Sequence, residues 1–199
     1  MAPTRPPTPV PLPPLLERRL EELRAIRRDA ASLTEGLSAA QLAWSPAPGR
    51  WSMADVVAHL NRTGRLYLDA LAHALAEARA RGMTDRGDWK PTFVGGMMTR
   101  SMEPPPRIRL PAPRIFRPAA GETAIDGPRE VSTWKALHVE MEERIREAAG
   151  LDLRRAKVTS PASRWMKMNA GDALSLLLAH ERRHLWQMRN VRGSAGFPG

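Results

Sequence analysis

Leu176-Leu177-Leu178-Ala179-His180-Glu181-Arg182-Arg183-His184-Leu185-Trp186-Gln187-Met188 is the stretch that decides how this chain folds. Leu176, His180, His184 and Met188 stand four residues apart. At 3.6 residues per turn they form one stripe of an α-helix, apolar at both ends and carrying both histidines. Imidazoles at i and i+4 lie about 6 Å apart along the helix axis, close enough to reach one ion without bending it. The helix begins near Asn169, with Asp172 three residues on as its cap partner, and runs to about Arg192.

Three more stretches repeat the helical period. Leu16, Leu20, Leu23, Ile26, Ala30 and Leu33 form the first amphipathic stripe, closed by Gly36. A loop over 37–50 follows, broken by Pro46, Pro48 and Gly49. Ser52 and Asp55 form a capping-box variant behind Trp51, which stands where the outer half of a hydrophobic staple belongs. From there Val56, His59, Leu60, Thr63, Tyr67, Leu71 and Leu75 line a second helix to about Arg81. Residues 82–127 hold Gly95-Gly96, Pro104-Pro105-Pro106 and further prolines, and read as a long irregular crossover with short helical or extended pieces. Val131, Trp134, Leu137, Met141 and Ile145 mark a third helix over 128–149, ended by Gly150.

Four amphipathic helices, no convincing strand and one irregular crossover describe an all-α four-helix bundle spanning 15–192. Residues 1–14, with seven prolines, form a flexible Pro-rich tail, and 193–199 a second flexible tail. No repeat or second domain is visible.

Composition narrows the function. With 199 residues and 42% hydrophobic content, the chain suits one globular domain with a sizeable core. No apolar run approaches the roughly 20 residues of a membrane span. The N-terminus has no apolar h-region, so a cytoplasmic location is the default expectation. The absence of cysteine excludes disulfides, thiolate ligands and a cysteine nucleophile. The net charge of +10 suggests nucleic acid, but only four of the 31 basic residues are lysine, and the arginines alternate with glutamate along helices. Aromatics make up 5%, too few for the stacking faces of nucleic-acid sites. A solvated face is the better reading, and no specific nucleic-acid partner is expected.

His59 lies on the inward stripe of the second helix and is the natural third partner of His180 and His184. Three neutral nitrogens with one side open suit Zn²⁺, Ni²⁺, Fe²⁺ or Mn²⁺, and nitrogen donors alone do not choose among them. His73 is about 21 Å of helix from His59 and cannot share that ion. His138, on the third helix, is expected at the surface or behind the ligands. Glu181, about 100° round the helix from His180, reads as a structural ion pair, and Gln187 as a residue that orients His184. Trp134, Trp165 and Trp186 are assigned to the core, with a homodimer interface as the other option.

Two segments carry a family resemblance: Leu37-Ser-Ala-Ala-Gln-Leu42 through Pro48-Gly-Arg-Trp-Ser-Met-Ala-Asp-Val-Val-Ala-His-Leu60, and Asp172-Ala-Leu174 through Ala179-His-Glu-Arg-Arg-His-Leu-Trp-Gln187. The chain resembles the DinB-like superfamily over about 15–192, in particular its DinB_2 branch, which includes metal-dependent hydrolases and thiol-dependent S-transferases. The resemblance implies an up-down-down-up bundle with His59, His180 and His184 around a metal. It also implies a small-molecule substrate and, for the transferases, a low-molecular-weight thiol such as bacillithiol or mycothiol. Leu185-Trp186 stands where many relatives have Arg-Gly, and the Pro-rich segment over 103–118 is longer, so a different pocket rim is expected. Arg62, Arg183 and the 107–117 loop are candidates to hold carboxylates of a thiol cofactor. The expected function is metal-dependent transfer or hydrolysis, with a non-catalytic metal-binding module as the alternative.

Overall fold

In a computed structural model of the chain, residues 12–85, 89–106, 112–117 and 125–199 are described. Four long helices build the core: α1 (Pro14–Thr34), α3 (Met53–Ala80), α5 (Gly127–Glu147) and α6 (Ala170–Arg192). The apolar stripes read from the sequence are the faces they bury. Leu16, Leu20, Leu23, Ile26, Ala30 and Leu33 of α1 pack inward, as do Val131, Trp134, Leu137, Met141 and Ile145 of α5. Ser52 caps α3 by accepting from the Asp55 amide at 3.1 Å, while the Asp55 carboxylate accepts from the Ser52 amide at 2.9 Å. Asn169 caps α6 in the same way through the Asp172 amide at 2.7 Å.

Cross-helix partners fix the direction of each helix. Arg182 reaches Glu22, Arg189 reaches Asp29 and Arg192 reaches the Ser32 carbonyl, each across 160 residues, so α1 and α6 run parallel. Asn61 with Glu130, Arg65 with Glu140 and Arg79 with the Glu147 carbonyl make α3 and α5 parallel. Trp51 meets His184 while His59 meets His180, so α3 and α6 run antiparallel. The result is an up-down-down-up bundle in which α1 touches α5 and α6, and α3 touches the same two. Among the described residues no helix is long and apolar enough to cross a membrane.

Short elements occupy the connections between the long helices. A five-residue helix, α2 (Ala39–Ala43), lies in the 37–50 connection, capped by Ser38 and Gln41. The crossover contains α4 (Phe93–Met102) and a single 3₁₀ turn, Arg114–Phe116. A hairpin of β1 (Lys157–Thr159) and β2 (Lys167–Asn169) precedes α6, where the sequence shows no strand pattern. Strands of three residues are too short to show a period of two. The last residues, expected as a loose tail, lie against α2: Phe197 meets Trp44 edge-on at 5.5 Å, and Gln41 donates to the Pro198 carbonyl. The N-terminal prolines up to Pro11 lie outside the described residues, as do Arg107, Arg109, Pro111 and Pro118 of the Pro-rich segment.

α4 lies along α6 at very close range. A Cβ on Gly95 would sit 2.1 Å from the Asp172 carboxyl carbon, so only glycine permits this approach. Asp172 in turn accepts from Asn169 and from the Thr92 hydroxyl. α6 is therefore covered by α1, α3, α4 and the hairpin. This explains why residues 170–179 are buried all round, whereas α1 and α5 bury only a stripe.

Candidate metal centre

The α3–α6 seam brings the three expected histidines together. His59 Nε2 lies 3.2 Å from His180 Nε2, which lies 3.1 Å from His184 Nε2. His59 and His184 are buried and His180 is half-buried. The outer nitrogens of two rings are fixed from behind. His59 Nδ1–H donates to the Phe116 carbonyl at 2.6 Å, and His184 Nδ1–H to Gln187 Oε1 at 3.0 Å. A neutral ring whose proton is held at Nδ1 presents a lone pair at Nε2. Both bonds therefore turn unprotonated nitrogens toward the same point.

Nitrogens on the 2.0–2.1 Å shell of a divalent ion lie about 2.9 Å apart at right angles and about 3.3 Å apart at tetrahedral angles. The His59–His180 and His180–His184 separations fall between these limits, all three donor atoms lie within 4.8 Å of one another, and with a small inward turn of the His59 and His184 rings they could hold one metal ion. A proton on His180 Nε2 can serve one neighbour at a time, whereas a cation satisfies all three lone pairs.

Electrostatics agree with the geometry. Burial pushes His180 down to about 3, helped by the His59 and Arg183 charges. Burial likewise holds His184 well below its ordinary value, with His180 and His59 adding to it. His59 is lowered by burial, opposed by its bond to the Phe116 carbonyl and by the negative charge of Glu181. Depressed imidazoles bind fewer protons in the folded chain than in the unfolded one. In metal-free protein their stabilisation is thus complete above the unfolded value of about 6.5 and is lost as the pH falls below it. The melting temperature of chelator-stripped protein should be flat from pH 8 to 7 and fall between pH 6.5 and 5. A flat profile through that window would contradict the neutral triad.

The sequence announces only part of the walls of the site. Trp51, read as a staple residue, stacks on His184 with ring centroids 6.4 Å apart and planes 22° apart, and tilts against His59 at 5.1 Å. The 3₁₀ turn contributes the Phe116 carbonyl, and Arg62 donates to the Ile115 carbonyl beside it. No side-chain pattern announces a backbone acceptor. Arg183 donates to the Ser101 carbonyl of α4, and Arg117 to the Ala112 carbonyl. His73 is exposed and apart from the cluster, as expected. His138 is buried, behind the ligands and not at the surface: its Nε2–H donates to Glu181 Oε2 at 3.3 Å, and Trp134 Nε1–H donates to the same oxygen at 2.9 Å. Of the three tryptophans assigned to the core, Trp134 is fully buried and Trp186 half-buried. Trp165 is 81% exposed, in the hairpin connection beneath the Arg164 guanidinium.

Fold and site together define a class: an up-down-down-up helical bundle whose second and last long helices face each other across one histidine and an i, i+4 pair. The family model of the DinB superfamily matches residues 22–188, and the chain belongs to that superfamily. Comparison with curated proteins and with solved structures gave no match.

Proposed function

We propose that His59, His180 and His184 hold one divalent transition metal, and that the protein is a metal-dependent enzyme acting on a small molecule. The reaction we favour is transfer of a low-molecular-weight thiol, with hydrolysis as the other reaction of the same site. The observation that carries this is the convergence of three Nε2 atoms, two of them aimed by bonds at Nδ1. Structural sites of this kind normally use four protein ligands, so three leave a position for a reactant. A divalent ion in such a site lowers the pKa of a bound thiol or water and supplies a nucleophile at neutral pH.

The chain's own residues do the rest. Phe116 and Gln187 hold the His59 and His184 rings against rotation. Trp51 covers one side of the cluster and keeps water from that flank. Arg62 and Arg183 flank the ligands on α3 and α6, each three residues beyond a histidine, and suit a carboxylate-bearing thiol or substrate. A non-catalytic metal module shares this site. What favours it is that, among the described residues, no carboxylate joins the three-histidine group.

The test is the metal content of untagged protein by plasma mass spectrometry, followed by assays of the loaded protein. Those assays would follow loss of bacillithiol or mycothiol in the presence of electrophiles, alongside a panel of esters and amides. About one equivalent of metal with turnover supports the enzyme reading. Metal without turnover on either panel favours the module. No metal after reconstitution with Zn²⁺, Ni²⁺, Fe²⁺ and Mn²⁺ overturns both.

A further inference from the structure

Beside two of the three histidines on α6, the core holds a carboxylate that takes no part in the ligand cluster. Glu181 follows His180 directly and precedes His184 by three residues, yet it is 4% exposed. Its partners are Trp134 and His138, both on α5, and both donate to the same oxygen. A carboxylate removed from water is costly unless its charge is matched as well as hydrogen-bonded.

The nearby arginines are committed elsewhere. Arg27 reaches the His138 carbonyl at 2.6 Å, but its charge is matched by Glu142 at 2.7 Å. Arg182, next in sequence, pairs with Glu22 and Glu103. Arg183, whose charge also reaches His180 and His184, donates to the Ser101 carbonyl. An ion between the histidines would add a positive charge beside Glu181 on the ligand side, where its partners Trp134 and His138 do not reach. Glu181 stands between His180 and His184 on α6, which places its buried charge within one helical turn of both ligands. Three neutral imidazoles leave a dication with no compensation, and in a low-dielectric core a single nearby carboxylate counts heavily.

We infer that Glu181 is the built-in counter-charge of a cation held by His59, His180 and His184, setting the affinity of that site by its charge and not by ligating the ion. The inference rests on the proposed metal reading of the three histidines. It makes Glu181 a positioning and charge-compensating residue with opposite effects on the two states of the protein. With metal bound the carboxylate is stabilising. Without metal its charge is offset only by the Trp134 and His138 bonds.

The experiment uses Glu181→Gln, which keeps the shape and an acceptor oxygen for Trp134 and His138 while removing the charge. Zn²⁺ affinity is measured by competition with a chromophoric chelator, and the melting temperature of the metal-free protein is measured in parallel. The expected result is Zn²⁺ binding about tenfold weaker or more, with a metal-free melting temperature equal to or above that of the unaltered chain. Glu181→Asp, which retains the charge, should bind within about threefold of the unaltered chain. Equal Zn²⁺ affinity in Glu181→Gln overturns the inference while leaving the metal site intact, as loss of binding in His59→Ala would show. A lowered metal-free melting temperature, or failure of Glu181→Gln to fold, also overturns it, because the carboxylate would then be a structural bond. An unaltered chain that binds no Zn²⁺ removes the metal reading and this inference together.

Discussion

Protein carrying His184→Ala is expected to keep its helical content and lose its metal. His184 contributes one of three Nε2 atoms at the α3–α6 seam, 3.1 Å from its neighbour. The apparent free energy of a structural zinc site, about 10–16 kcal/mol, is shared by its ligands. Losing one of three should therefore cost on the order of 3 kcal/mol or more, beyond a hundredfold in affinity. The helix survives because its other buried residues, Leu178, Leu185 and Met188 among them, are untouched. Gln187→Leu should be milder. It frees the His184 ring without removing the ligand, and loss of such an orienting partner costs about 10–100-fold. Plasma mass spectrometry with circular dichroism checks both. Metal retained at the unaltered level in His184→Ala would show that the three histidines are not the site.

Trp134→Ala should produce the largest loss of stability, about 3–5 kcal/mol in metal-free protein. Trp134 is 1% exposed and is the largest fully buried side chain. Its removal opens a cavity between α5 and α6 and also takes away one of the two donors to Glu181. Trp134→Phe separates the two effects. The ring is mostly restored, and the remaining loss of about 1.5–3 kcal/mol belongs to the hydrogen bond to a charged acceptor. Urea unfolding with unchanged slope measures both variants. A loss under about 1 kcal/mol in Trp134→Ala would mean the core closes over the gap and Glu181 finds another donor.

The four long helices are legible in the sequence because each buries a stripe wide enough to impose its period over twenty residues or more. Leu16 to Leu33 and Val131 to Ile145 are the clearest cases. The histidines are legible for the same reason, since they interrupt apolar stripes at positions where only a buried or ligating side chain makes sense. The five-residue α2 and the three-residue strands carry no period to read. α4 is hidden by Gly95-Gly96, which sequence propensity takes as a breaker and the structure uses for close approach to Asp172. Glu181 reads from the sequence as a structural ion pair and His138 as a residue at the surface or behind the ligands, but that each is the other's partner in the core is not legible there. α6 is covered on several sides, so a residue 100° from the ligands is still inside. Phe116 acts through its carbonyl, which every residue possesses, and Trp165 shows the converse, a large aromatic that a loop leaves outside.

The constant spacing of 160 residues between partners on α1 and α6 bears on the order in which the molecule can come together during synthesis. α6 is the last of the bundle's helices to leave the ribosome, and it carries two of the three histidines and the partners of Glu22, Asp29 and Ser32 on α1. Until it emerges, α1 has only α5 to rest on and His59 faces an open seam. The growing chain thus has no assembled site with which to capture an ion, so loading belongs to the finished bundle. Domains generally fold as units, and here the unit closes with its final helix. Truncations that end before His180 should therefore yield chains exposed to proteolysis and aggregation as nascent intermediates, not smaller versions of the same fold.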